Sequence, residues 1–237
     1  MVRETLMQAK DHDPDFRWRG ENVSRLENLS DIAFALALSM LVASGGTPET
    51  FSDLSRFLIS IVPVAAAFSV LLGIWHTHYT FFRRFGLNDR TIITYNAILI
   101  FIVLYMAYPL RFAFDSFFGF ILMQFGYNDL IIKLEVDFFD SGVIIGYFAA
   151  FYAATHFILA LMYGHALKQA ENFELNANEL ALARQEKIIR LGLGVLALTV
   201  ATIAYLTPLN GLAGIMLFAT FVPYMIANRM HPLHKSS

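Results

Sequence analysis

Long apolar runs, separated by short charged or turn-forming stretches, set the pattern of this chain and predict six membrane-spanning helices. The first is expected at about 22–43 and ends at the Gly45–Glu49 turn GGTPE. The second is expected at 54–82 with Pro63 inside it, followed by a charged loop holding Arg83, Arg84, Asp89 and Arg90. The third covers 91–114 and contains Asn96 and Pro109. An irregular acidic stretch, 117–140, holds Asp129, Glu135, Asp137 and Asp140 against Lys133 and leads into the fourth span at 138–164. His165 to Lys187 is polar and rich in helix formers, which predicts a water-exposed helical connection. The fifth span, 188–206, joins the sixth, 212–227, through the hairpin turn TPLNG at Thr207–Gly211.

The first span departs from what lipid favours. Asp31 sits inside it, Arg25 and Glu27 lie just before it, and the largely apolar part from Ile32 to Ala43 is twelve residues that include Ser39. A lipid-facing helix needs ~20 apolar residues at a rise of 1.5 Å each. A segment this short and polar suits a place among other helices or along a water-filled path, and a pore lining is the reading taken here.

Composition agrees with a membrane protein: 57% of the 237 residues are hydrophobic and 15% are charged. A soluble domain has ~45–50% apolar and ~25% charged residues. The chain has no cysteine, so disulfides and thiolate metal sites are excluded. The polar start lacks a secretory leader pattern, and residues 1–21 read as a tail in water. Basic residues orient the spans. Of the seventeen Lys and Arg, all except Arg56, Arg111 and Lys133 fall in the N-terminal tail up to Arg25, the loops after the second and fourth spans, or the C-terminus. The positive-inside rule then places both termini in the cytoplasm, which requires an even number of spans. The expected fold is therefore an all-α integral membrane six-helix bundle, 22–228, between cytoplasmic tails at 1–21 and 229–237.

Polar residues at membrane depth cost ~2.5–3.5 kcal/mol each on insertion scales and mark the places to search for function. Asp31 is either a polar mouth or buried tie, partnered by Arg25 or by a basic or hydroxyl group on another span, or a hydrated helix end. Trp75 and His78, three apart, share a helical face near the basic loop, while His76 points elsewhere. Interfacial anchoring explains the aromatic rings. A metal on the His76 and His78 pair is a weaker alternative, because two residues apart on a helix they point in different directions; a haem held between His78 and another membrane histidine such as His156 is equally weak, and no metal site is assigned. Asn96 is expected to hydrogen-bond between helices. His156 is either a satisfied interior histidine or a proton acceptor, and a proton-coupled path through Asp31, His78 and His156 is the alternative function. The sequence contains no phosphate loop, zinc-protease helix, serine elbow or TVGYG potassium filter, so enzyme chemistry is not expected.

These residues together resemble the single-repeat bacterial form of the transmembrane protein 175 family of potassium-permeable channels. The family's Arg and Phe-Ser-Asp near the start of span one is matched by Arg25, Leu29, Ser30 and Asp31. Its Trp-x-x-His in span two is matched by Trp75 and His78, and its Asn and Pro in span three by Asn96 and Pro109. The resemblance implies a homotetramer in the bacterial inner membrane with span one around a central pore. It has potassium as the permeant ion, and no cofactor or nucleic-acid partner. The implied pore positions are Leu36 as an apolar constriction, Ser39 as a hydroxyl ring and Ala43 beyond. Arg25, Ser30, Asp31, Trp75, His78 and Asn96 are the implied set supporting span one. Leu29 in place of Phe and Ser39 in place of the common Thr depart from the pattern.

Overall fold

The computed structural model describes residues 15–20, 22–127, 141–207 and 213–233, without the side chains of Ser141 and Phe218. Helices and loops account for all of these residues. Five helices are long and apolar enough to cross a membrane. The acidic residues Asp129, Lys133's neighbours Glu135 and Asp137, and Asp140 lie outside the described residues, as do 1–14 and most of the TPLNG turn.

Helix α1, Arg25–Ala43, starts at a capping box. The Ser24 hydroxyl accepts from the Glu27 amide and the Glu27 carboxylate accepts from the Ser24 amide, satisfying two of the free donors at the helix start. The expected second span is in fact two helices, α2, Phe51–Ile59, and α3, Ile61–Phe85, joined at Ser60. Pro63 explains the break. It has no N–H for the Ile59 carbonyl, and its ring would press on that carbonyl in a continuous helix. Pro63 therefore stands in the first turn of α3, where a missing N–H costs nothing, rather than in mid-span. No residue of α2 is buried.

Helix α3 runs through Arg83 and Arg84, which are helical and buried rather than part of a loop. It stops at Gly86, whose φ of +60° makes a left-handed cap. The segment before α1 lies against this end: the amides of Arg19 and Gly20 both donate to the Arg83 carbonyl, at 3.1 and 3.0 Å. Gly20 is required there, since a Cβ would fall 2.3 Å from the Phe82 carbonyl oxygen.

Helix α4, Arg90–Gln124, has 35 residues and passes through Pro109 without stopping. At 1.5 Å per residue it is about 52 Å long. It takes in 117–124, which the sequence reading assigns to irregular chain. Phe117, Phe118, Phe120, Ile121 and Leu122 continue its apolar pattern, and the acidic residues begin only later. Helices α5, Ser141–Lys168, and α6, Ala177–Leu206, then pack along each other as the most extensive helix pair. Gly194 permits their close approach, because a Cβ there would meet the Phe157 ring at 2.6 Å. The expected connection between them is reduced to residues 169–176, since both helices extend into it. It is not water-exposed throughout: Glu179, Ala183 and Gln185 are buried. Beyond α6, a 3-10 turn, Gly214–Thr220, precedes α7, Phe221–Met230.

Phe34, Ala37 and Leu41 of α1 join the main core with Leu71 and Phe81 of α3, Leu99, Val103 and Met106 of α4, and Leu159 and Met162 of α5. Helix α1 packs on α3 and α4. It stands at one edge of the molecule, with its other side uncovered.

Candidate functional site

The two sides of α1 differ in chemistry. Its inner side carries Glu27, Ser30, Ala33, Phe34, Ala37 and Leu41, all buried. Its outer side carries a stripe, Leu29, Ile32, Leu36, Ser39 and Ala43, spaced three and four apart in alternation. Leu29 is 56% exposed, Ile32 67% and Leu36 52%, so three large aliphatic side chains leave half or more of their surface uncovered by the rest of the chain. Arg25, Asn28 and Asp31 are exposed as well. Ser39 Oγ lies 2.8 Å from the Ala35 carbonyl. Donation to that carbonyl uses its proton, so the hydroxyl offers the outside only its lone pairs.

The inner side is tied to α3 and α4 by buried polar groups. Asn96 of α4 is fully buried. Its Nδ2 donates to Ser30 Oγ at 2.8 Å, and its Oδ1 lies 2.7 Å from His78 Nε2. Ser30 also donates to the Leu26 carbonyl at 2.9 Å. His78 is packed against the rings of Phe34 and Phe82, whose centroids are 5.6 and 4.7 Å away. One turn away, Trp75 Nε1 donates to Asp31 Oδ1 at 2.8 Å. Five of the six expected supporting residues are thus brought together: Ser30, Asn96 and His78 in one group, Asp31 and Trp75 in a second. Arg25 is exposed and makes no tie to a described residue. It is also not the partner of Asp31: six residues apart on a helix they lie about 120° from each other, outside the three- and four-residue spacings that meet.

Three further ties were not read from the sequence. The Glu27 carboxylate forms a buried ion pair with Arg83, and Arg83 Nη1 also donates to the Gly20 carbonyl at 2.7 Å. The signal for Glu27 was present, since Ser24-x-x-Glu27 is a capping-box spacing. Arg83 was hidden by its place in a basic cluster that reads as loop. At the far end of α1, Arg111 of α4 points its guanidinium at the Leu41 carbonyl, 3.4 Å away, and pairs with Asp115 at 2.7 Å. A cation there suits the negative end of the helix dipole. The chain before α1 is held by Arg19, which forks onto Glu179 of α6 with both contacts at 3.0 Å.

At the start of α4, Asp89 caps the helix by accepting from the amides of Thr91 and Ile92, and it also meets His165 Nε2 of α5 at 2.8 Å. Partial burial raises the Asp89 carboxyl, but the His165 hydrogen bond and the two amides outweigh it and hold it below the ordinary 3.8. A depressed carboxyl stabilises the fold above its unfolded pKa and loses that effect as pH falls through the folded one. Asp89→Asn is therefore expected to lower thermal stability at neutral pH, with the difference from wild type closing in acid below 3.8. Melting curves of the two proteins from pH 7 downward measure this, and a constant gap would contradict it.

The remaining candidates do not join the site. His76 is exposed and turned away from His78. His156 is buried against Tyr152, 4.4 Å between ring centroids, and neither of its nitrogens has a hydrogen-bond partner among the described residues. Asp31 ends on Trp75 and His78 on Asn96, so no hydrogen-bonded path among the described residues links these groups to His156.

Residues 25–106 match the family described as endosomal/lysosomal potassium channel TMEM175. That segment covers α1 to the middle of α4 and holds the whole polar group. A Marivirga tractuosa protein described as a potassium channel is 33% identical over 229 residues, covering 90% of this chain and 89% of that one. This chain belongs to the TMEM175 potassium channel family. Among solved structures, a variant of the potassium channel MtTMEM175, crystallised with a nanobody–MBP fusion, superposes with a TM-score of 0.78 at 29% identity. That match covers 92% of this chain and 97% of the other. A lysosomal potassium-selective channel TMEM175 homolog from Chamaesiphon minutus gives 0.56 at 19% identity, covering 86% and 97%, and shows the shared fold. TMEM175 relatives are channels rather than enzymes, and potassium is the ion that passes rather than a cofactor. As a TMEM175 member with five long apolar helices, this chain is a multi-pass membrane protein.

Proposed function

We propose that the protein is a potassium-permeable cation channel, a homotetramer of the bacterial inner membrane, in which four copies of α1 surround the conducting path. The observation that carries this reading is the uncovered stripe of α1. Leu29, Ile32, Leu36, Ser39 and Ala43 follow the three–four spacing that sets side chains of adjacent helices against a common axis. Lipid is a poor alternative cover. The same outer side holds Arg25, Asn28, Asp31 and Ser39, and the helix has only 19 residues, about 28 Å.

Leu36 forms the narrow apolar ring, and Ser39, one turn further, replaces part of the ion's hydration with hydroxyl lone pairs. Ala43 leaves the path wider beyond. Ser30, Asp31, Trp75, His78 and Asn96 hold each copy of α1 in place, with Arg25 on the exposed side at the pore entrance. The chain crosses the membrane six times, the last pass formed by the 3-10 turn and α7, and both termini are cytoplasmic.

Purified protein in planar bilayers between potassium and sodium solutions is expected to carry current with a reversal potential that favours potassium. Light scattering of the same preparation is expected to give four chains per particle. Absence of current, or a monomer, would refute the reading. Ser39→Ala is expected to move the reversal potential toward zero while current persists.

A further inference from the structure

Away from α1, a cavity of about 230 Å³ opens between α4, α5 and α6. It lies at the end of the bundle where α5 turns into α6, which is also the end rich in Lys and Arg. Leu161 and Leu191 line it on the side away from that end and are 49% and 40% exposed, so it opens to the outer side of the bundle rather than into the core. Lys168 stands seven residues nearer the helix end than Leu161, and Lys187 four residues nearer than Leu191. The cavity is thus apolar within and cationic toward the membrane surface. Gly164 shapes this arrangement: the Lys187 stem crosses α5 there, with Cε 3.6 Å from where a Cβ would be.

The nearby acids do not neutralise the two ammonium groups. Glu186 is bound by Arg190 of its own helix, at 2.7 and 3.1 Å, and Asp89 is bound by His165 at 2.8 Å. Among the described residues, neither Lys168 nor Lys187 has an ion-pair partner. Two uncommitted cations above an apolar recess, at the depth where a helix leaves the hydrocarbon, match a phosphate that carries an acyl chain.

We propose that this cavity binds the headgroup of an anionic phospholipid, with Lys168 and Lys187 on the phosphate and Leu161 and Leu191 beneath the first acyl carbons. Tyr95 lines the cavity on the α4 side. The site is independent of the conducting path and does not depend on the reading of α1.

Native mass spectrometry of the full-length protein tests the assignment, using detergent micelles doped with equal phosphatidylglycerol and phosphatidylcholine. Wild type is expected to retain phosphatidylglycerol preferentially. Lys168→Gln/Lys187→Gln is expected to reduce that retention about tenfold or more, since each basic group near the surface contributes appreciably to anionic lipid binding. Leu191→Trp, which fills the recess and keeps both charges, is expected to reduce it as well. Arg229→Gln, which removes an exposed charge from α7, is expected to leave it unchanged. Retention in the double variant equal to wild type would overturn the proposal, as would an equal loss in Arg229→Gln. Displacement of the lipid by about 1 mM inorganic phosphate would assign the lysines to a free anion instead and overturn the lipid assignment.

Discussion

Leu36→Asn is expected to raise potassium flux about tenfold. The two side chains have the same number of heavy atoms and both branch at Cγ, so the substitution replaces apolar ends with polar ones on a similar shape. Hydrophobic rings close a path by expelling water, and an amide in each of four copies would restore hydrogen-bonding partners for both water and a hydrated ion. A tenfold rise corresponds to only about 1.4 kcal/mol off the barrier, which is modest for such a change. Because Leu36 is half-exposed and off the core of its own chain, the variant should fold normally. Potassium efflux from liposomes, at matched protein density, measures the effect. Leu36→Met, apolar and of similar volume, is the companion that should stay within about twofold of wild type. Equal flux through Leu36→Asn and wild type would remove Leu36 as the constriction.

Glu27→Ala is expected to cause the largest loss of stability of any substitution at the base of α1. It deletes the carboxylate of the capping box and leaves Arg83 with a buried, unpaired charge. Breaking one side of a buried ion pair costs ~3–5 kcal/mol, with a cap contribution of ~1 kcal/mol. For a chain of this length, each kcal/mol moves the melting temperature by about 2–4 °C, so a fall of about 10 °C or more is expected in detergent. Glu27→Gln separates the two contributions, because it can still accept from the Ser24 amide while removing the charge. It should fall between wild type and Glu27→Ala. A fall of less than about 3 °C for Glu27→Ala would show that the ion pair is not what secures this end of α1.

Much of this architecture could be read from the pattern of the chain. Long helices lie on the apolar runs expected for spans one, three, four and five, with other ends, and the interhelical hydrogen bond of Asn96 follows from the cost of leaving an amide unsatisfied at depth. The spacing of Trp75 and His78 gives only a shared face; their place beside α1 comes from the family resemblance, and the residues alone put Trp75 at the interface rather than on Asp31. What failed had local causes. A proline inside an apolar run reads as a tolerated interruption, but the lost N–H and ring of Pro63 decide where α2 ends and α3 begins. Arg83 and Arg84 read as loop because charge ordinarily signals water, but Glu27 and the ring of Phe16 give them buried partners from distant parts of the chain. The Arg111 contact to the end of α1 joins residues 70 apart and carries no local signal. The polar 165–187 stretch looked solvated because the packing of α5 on α6, which buries Glu179 and Gln185, is a tertiary property.

The ties at the two ends of α1 also constrain how a path along it could change width. Near its start the helix is fastened by Ser30 to Asn96 and by Glu27 to Arg83, and near its finish by the Leu41 carbonyl to Arg111. An iris-like swing of the whole helix would have to break buried polar contacts at both ends at once. Rotamer changes of the half-exposed aliphatic side chains between those ends break none, and they occur in picoseconds to nanoseconds. If α1 lines the path with Leu36 as its constriction, as proposed, that path is a stiff frame with mobile fittings, and its fastest openings belong to the side chain rather than to the backbone.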